Sequence, residues 1–248
     1  MKIASLNING LKSAFDSGLK SYILDVKADV FCVQETRTGK DLACYFVPGY
    51  HEFYCPSAHS GHEGVGLFTK RLPKGLIQGI GVPARGNEGR AITLETGSYY
   101  IVNVYAPTSG AALQNLENKV FWLNDLLRYV KYLEGMKPVI ICGDMNVAGG
   151  VRDMPAEQLG TPSAGNTDAE REAFNKIIDA GYYDVWRMTH PNERGVSWAP
   201  YWGNGEDYDF GWRLDYFLVS EKLLDRVKKC EILSQCDISD HRCLVLEI

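Results

Sequence analysis

Two apolar runs in this 248-residue chain each finish on an acid: Val30-Phe31-Cys32-Val33-Gln34 leads into Glu35, and Val139-Ile140-Ile141-Cys142-Gly143 leads into Asp144. Short unbroken runs of this composition read as strands covered on both faces. A carboxylate at the end of such a strand is costly to desolvate unless it meets a partner or a cation. Each run also follows a stretch with helical spacing. Leu19, Ile23 and Val26 precede the first; Leu116, Val120, Leu123, Leu127 and Val130, at steps of four, three, four and three, precede the second. The repeated order of helix, strand and carboxylate fits two similar halves whose strand ends converge on one site, with coincidence as the plain alternative.

Further apolar runs bounded by turn residues predict strands over 3–8, 65–68, 91–94, 99–105, 216–219 and 244–248, beside those at 30–33 and 139–142. Helices are predicted over 114–134 and 168–180, with a short one before Val30 and another over 220–227. Thr167 is placed as the N-cap of the 168–180 helix, Glu170 as its capping-box partner and Gly181 as its stop. No Pro/Gly/Ser-rich linker divides the chain, so one domain over residues 1–248 is expected. The fold class is α/β: two packed mixed β-sheets flanked by helices.

No run of 18 apolar residues exists, and no membrane span is expected. The N-terminal alternation reads as a strand rather than a secretory signal. Seven cysteines form no C-x-x-C pair and several sit inside apolar runs, where a thiol acts as a small hydrophobe. A reducing compartment is expected, the cytoplasm, or the nucleus of a eukaryotic source. The formal charge of −5 argues against a nucleic-acid partner, but a bound divalent cation cancels part of it where a phosphate must sit.

The polar residues at strand ends carry the chemistry. Asn7 and Asn9, and likewise Asp144 and Asn146, are two apart on extended segments and project to one face. Asn-x-Asn-Gly is equally a strand ending in a turn. Glu35 is the natural ligand for a hard cation. Asp240-His241 precedes the last strand, where the imidazole suits a phosphate oxygen gaining negative charge. Asp215 enters an apolar strand and is read as the acceptor that fixes the tautomer of His241. Tyr105 ends a strand and is either structural or a phosphate contact. Separated oxygen ligands, one imidazole and several amides are what metal-assisted phosphodiester hydrolysis requires.

Taken together, Asn7-Ile8-Asn9-Gly10-Leu11, Gln34-Glu35-Thr36, Gly64-Val65 through Thr69-Lys70, Glu88-Gly89-Arg90, Tyr105 with Pro107, Gly143-Asp144-Met145-Asn146-Val147-Ala148, Glu170-Arg171, Gly211 to Phe217 and Ser239-Asp240-His241 resemble the exonuclease III family of abasic-site endonucleases. The wider superfamily includes DNase I, inositol polyphosphate phosphatases and sphingomyelinases. The resemblance implies a DNase I-like four-layered α/β sandwich and hydrolysis of the phosphodiester 5′ to an abasic site in duplex DNA. The product end is a 3′-hydroxyl, and 3′-phosphodiesterase or 3′-to-5′ exonuclease activity accompanies it, as in base-excision repair by a monomer. It implies Mg²⁺, with Mn²⁺ as substitute, surrounded by Asn7, Glu35, Asp144, Asn146, Asp240 and His241. Asp144 is implied to orient or deprotonate the attacking water, Asn146 and Tyr105 to contact the phosphate, and His241 with Asp215 to stabilise the charged intermediate. Asn9, Lys70, Arg90, Thr108, Trp198 and Trp212 are assigned to the DNA. Lys70, Arg71, Lys74, Arg85 and Arg90 are expected phosphate contacts, with solvated loop charges as the plain alternative.

Several positions depart from the family pattern: Thr108, Ala111, Ser163, Asn166 and Ser197, the last standing where an aromatic often precedes the Trp198 pocket. Residues 197–217 contain eight aromatics, among them Trp198, Tyr201, Trp202, Tyr208, Phe210 and Trp212. Core packing is the usual fate of such a cluster; the resemblance assigns Trp198 and Trp212 to a pocket for an extrahelical sugar. His59 and His62 lack the partners of a zinc site. Two competing readings remain: the same hydrolytic site retargeted to undamaged nucleic acid or another phosphoester, and a non-catalytic nucleic-acid-binding descendant.

Overall fold

The computed structural model describes all residues except 40–44, 60, 86–87, 201–209 and 235–236. One six-stranded sheet contains β1 (Lys2–Asn7), β2 (Val30–Gln34), β3 (His51–Cys55), β4 (Val65–Thr69), β11 (Lys229–Ile232) and β12 (Leu244–Glu247), in the order β11-β12-β1-β2-β4-β3. The other contains β5 (Gly75–Gln78), β6 (Ala91–Glu95), β7 (Tyr100–Tyr105), β8 (Val139–Asp144), β9 (Tyr182–Asp184) and β10 (Asp215–Ser220), in the order β5-β6-β7-β8-β10-β9. All eight apolar runs are strands, and they are the eight interior strands. The four strands that the sequence did not announce, β3, β5, β9 and β11, are the four sheet edges. An edge strand pairs on one side only and stays partly exposed, so it needs no continuous apolar run.

Each sheet has one parallel pair joined by helix. The chain crosses from β1 to β2 through α1 (Leu11–Asp16) and α2 (Leu19–Val26), and from β7 to β8 through α3 (Leu116–Glu134). Parallel neighbours end on the same edge, which places ligand sites beyond their carboxyl ends. Asn7 is in register with Gln34, the residue before Glu35, and Tyr105 is in register with Asp144. The repeated helix–strand–carboxylate order is therefore one crossover unit in each sheet. Gly143 makes the second unit possible: its φ is +127°, and a Cβ there would lie 2.0 Å from the Val104 carbonyl oxygen.

Three apolar layers hold four structural layers together, as expected. Leu11, Leu19 and Ile23 pack on Phe31 and Phe68 outside the first sheet. Trp122 and Leu126 of α3, with Phe174 and Ile177 of α4 (Asp168–Asp179), cover the second. Cys32, Leu67, Ile101, Ile140, Phe217 and Leu246 fill the space between the sheets. Just beneath the rim, Gln34 Nε2 donates to Asn103 Oδ1 (2.7 Å), and Asn103 Nδ2 donates to the carbonyls of Val33 (3.0 Å) and Gly66 (2.9 Å). These buried amide bonds tie the sheets at the level where the site begins.

The Thr167–Glu170 capping box forms as read from the sequence, and the 220–227 stretch is a 3₁₀ turn over Glu221–Arg226. A five-residue helix, α5 (Val185–Thr189), was not anticipated. Cys32, Cys55, Cys142, Cys230 and Cys243 are buried thiols outside any disulfide; Cys44 and Cys236 lie outside the described residues. Among the described residues no helix is long and apolar enough to cross a membrane.

Candidate active site

The rim where both parallel pairs end opens into a cleft of about 420 Å³. Four residues that line it, Asn9, Glu35, Arg37 and Asn146, adopt left-handed backbone at φ +49°, +53°, +48° and +51°. Non-glycine residues reach this region at a conformational cost, and such strain concentrates at functional sites. At Glu35 the strained turn is held by Thr36 N–H donating to Gly64 O (2.9 Å) and Arg37 N–H to Glu63 O (2.7 Å). Strand β2 thus stops abruptly and turns its terminal carboxylate into the cleft.

Asn7 joins the two halves. Its Nδ2 donates to Glu35 Oε1 and to Asp144 Oδ2, each at 2.9 Å, and its Oδ1 accepts from the Asn9 N–H at 3.1 Å. The fully buried Asn7 carboxamide is thus a spacer that fixes two acids. Arg37 grips Glu35 Oε2 through Nε (2.9 Å) and Nη2. Burial raises the Glu35 pKa, but the Asn7 hydrogen bond and the Arg37 charge outweigh it and hold the carboxyl below its usual range.

Asp144 and Asp215 are directly opposite one another across the antiparallel β8–β10 ladder. Like charges in that relation repel, and both residues are buried. Burial first, and Asp215 second, push the Asp144 carboxyl up to about 7. His241 answers the repulsion. Its Nδ1 lies 2.9 Å from Asp215 Oδ2, and its Nε2 lies 3.9 Å from Asp144 Oδ2. Burial opposes protonation of His241, but the Asp215 charge and hydrogen bond, with Asp144 and Asp240 behind them, raise its pKa to about 10. In this setting the imidazole favours its protonated form, and Nε2 faces the cleft as a charged donor.

Asn146 faces the same cleft, with its N–H donating to Asp144 Oδ1 (2.8 Å) and its Nδ2 to Ala106 O (3.0 Å). Tyr105 lies beside Glu35 and Asp144; burial, then those two charges, raise its pKa, so the phenol keeps its proton as a donor. Arg90 stacks over the Tyr105 ring with Cζ 5.1 Å from the centroid and is paired with Glu63 at 2.8 Å, which places it behind Tyr105. Trp198, Trp212, Leu214 and Ala164 form the apolar wall of the cleft, and Thr108 lies on its lip. Trp198 Nε1 donates to Asp240 Oδ2 at 2.9 Å, and Asn9 Nδ2 reaches Asp240 Oδ1 at 3.4 Å. Tyr201, Trp202 and Tyr208 lie outside the described residues.

Lys70 is not in this cleft. Strand β4 runs antiparallel to β2, so Thr69 is in register with Val30 and Lys70 emerges at the opposite edge of the sheet, bonded to Lys27 O at 2.7 Å. Arg71 and Lys74 line a separate groove on that far side.

Three contributors went unread in the sequence. Arg37 was missed although it follows Glu35 by two. Ser197, taken as a gap in the aromatic wall, is buried and donates from Oγ to Asp215 Oδ2 (2.7 Å) while accepting from Leu214 N–H (2.9 Å) and Asp215 N–H (3.0 Å). Arg213 anchors the entry to β10 by two bonds to Asp153, at 2.7 and 3.0 Å, and a third to Asp184 at 2.6 Å.

The donors at the rim suit a hard divalent cation: the carboxylates of Glu35 and Asp240 face one cleft, and Asn9 Oδ1 is buried there without a hydrogen-bond partner. Asp144, Asp215 and His241 also place one atom each within 4.8 Å of one another, but in that group the imidazole is occupied by Asp215.

Two mixed sheets, paired strand-end carboxylates and a protonated histidine over one cleft define a metal-dependent phosphoester hydrolase. Residues 4–241 match the Endonuclease/Exonuclease/phosphatase family. The chain is 36% identical over 243 residues to an exodeoxyribonuclease of Bacillus subtilis, covering 97% of this chain and 96% of that one. It is 38% identical over 234 residues to a DNA-(apurinic or apyrimidinic site) endonuclease of Dictyostelium discoideum, covering 92% of this chain and 64% of that one. The structure of an AP endonuclease from Archaeoglobus fulgidus aligns with a TM-score of 0.90 at 27% identity, covering 99% of this chain and 98% of that one. The chain belongs to the endonuclease/exonuclease/phosphatase family, whose members are metal-dependent, and is a phosphodiesterase of the nuclease type.

Proposed function

We propose that this enzyme uses Mg²⁺ to cut duplex DNA on the 5′ side of an abasic site, leaving a 3′-hydroxyl, and that it also trims blocked 3′ ends. The observation that carries the reading is the meeting of Glu35, Asp144 and protonated His241 in one cleft whose remaining wall is Trp198 and Trp212. A sugar without its base fits between such aromatic faces once it leaves the helix, while a sugar that carries a base brings further bulk.

Asp144, with its carboxyl near 7, is matched to accept the proton of an attacking water at neutral pH. Oxygen attack at phosphorus breaks the bond to the 3′ oxygen of the preceding nucleotide, and the abasic residue keeps the phosphate. His241 donates from Nε2 to a non-bridging oxygen as negative charge builds, and Tyr105 donates its hydroxyl from the other sheet. Asn7 keeps Glu35 and Asp144 apart and correctly aimed throughout. Glu35 and Asp240, with Asn9 beside them, would hold the cation, which would supply Lewis-acid polarisation and charge neutralisation at the phosphate.

A cleavage panel tests the proposal: duplexes that are abasic, blocked at the 3′ end, uracil-containing or undamaged, each with Mg²⁺, Mn²⁺ or chelator. Nicking of the abasic duplex with Mg²⁺ and silence in chelator are expected. Equal cutting of undamaged and abasic duplex would remove the lesion from the account.

A further inference from the structure

Glu170 and Lys119 form an ion pair with no solvent exposure on either side chain, Nζ to Oε1 at 2.8 Å. Buried pairs of this kind are weak stabilisers, because the desolvation of two charges offsets their attraction. The pair is better explained by what it touches. Glu170 Oε1 accepts from Ser109 Oγ, from Gly165 N–H (3.0 Å) and from Lys119, while its Oε2 accepts from Thr167 N–H (2.9 Å) and Oγ1 (2.7 Å). Lys119 Nζ also donates to the carbonyl oxygen of Asn146.

The Thr167 bonds are the capping box of α4; the other three contacts lie at or next to a cleft residue. Ser109 follows Thr108, Gly165 follows Ala164, and Asn146 itself lines the cleft in left-handed conformation. Gly165 packs so closely on the strained residue that a Cβ there would lie 3.1 Å from Asn146 O. Three segments distant in sequence therefore refer their positions to one carboxylate and one ammonium.

We propose that Lys119 and Glu170 are positioning residues that set one wall of the cleft, acting on the reaction through Asn146. The ammonium fixes the Asn146 carbonyl and with it the angle at which the side chain meets the phosphate. The carboxylate locks the two flanking loops to the same reference. The inference rests on the nuclease reading of the cleft, and wild-type cleavage in the same assay judges that reading separately.

The test is a double-mutant cycle under single-turnover conditions on an abasic duplex, with folding checked by circular dichroism. Lys119→Met, which keeps the length of the side chain, is expected to lower kcat about 10- to 100-fold with KM changed less than about threefold. In an Asn146→Ala background the same substitution is expected to cost less than about threefold, because its effect runs through Asn146. Lys119→Arg is expected to recover most of the rate. An equal loss in both backgrounds overturns the proposal. Where Lys119→Met does not fold, Ser109→Ala decides, since it frees one loop and leaves the pair intact: a several-fold loss of kcat at an unchanged melting temperature supports the proposal, and wild-type turnover overturns it. An inactive wild type would instead count against the nuclease reading.

Discussion

Asp144 and Asp215 stand opposite each other on neighbouring antiparallel strands, and the imidazole of His241 is bonded to one and 3.9 Å from the other. Two buried carboxylates in that register repel unless something shares their charge. A protonated histidine between them resolves the conflict and leaves its Nε2 side toward the cleft.

That arrangement has a pH signature. The folded His241 is raised to about 10 from its ordinary 6.5. Its stabilising contribution is therefore fully present below about pH 6.5 and is lost as pH rises through about 10. The rate should fall over the same alkaline limb, because the donor loses its proton. In Asp215→Asn the charge that holds the proton is gone, and the limb should move to lower pH. Rate profiles of both proteins check this; superimposable alkaline limbs contradict it.

Asn7→Ala should lower kcat about 100-fold, the usual scale for removing one preorganised donor at charged groups. It should also destabilise the fold by about 1–3 kcal/mol, since two buried acceptors lose a partner. Asn7→Asp should be worse for activity at neutral pH, because three carboxylates would then crowd one point. Thermal melts beside turnover measurements distinguish the two substitutions.

Lys70→Ala should leave kcat and KM within about twofold of wild type, because Lys70 belongs to the far edge of the first sheet. Single-turnover cleavage over a range of salt measures it. A marked loss of affinity for DNA would mean that the far edge also carries substrate.

Trp198→Phe keeps an aromatic wall but removes the N–H that holds Asp240 at 2.9 Å. The variant should need several-fold more Mg²⁺ for half-maximal rate while retaining its preference for abasic over undamaged duplex. Trp198→Ala should lose that preference as well. Magnesium titrations on both substrates read the two effects apart.

The interior of this fold was legible because strands buried on both faces are largely apolar along their length. Val30 to Val33 and Val139 to Cys142 are short runs of this kind, and the acids behind them mark the rim. The edges were not legible, because β5 and β9 satisfy half their backbone with solvent and carry no such constraint. Lys70 was misplaced for a related reason: a basic residue after a strand shows its charge but not which end of the sheet that strand has reached. Ser197 was counted as a gap because its role is a hydrogen bond to Asp215, 18 positions away, which no local pattern encodes. Lys119 left a clue that was passed over. It sits three residues after Leu116 and four before Leu123, inside the apolar stripe of α3, and a charge at such a position demands a partner.

The central claim is that Glu35 anchors a cation beside Asp144 at the rim where the two sheets' parallel strands end. Anomalous scattering from crystals soaked in Mn²⁺ tests it most directly. A peak within coordination distance of the Glu35 carboxylate, abolished in Glu35→Ala, is the predicted result. No peak, or a peak confined to Asp144, Asp215 and His241 with Glu35 untouched, would contradict it.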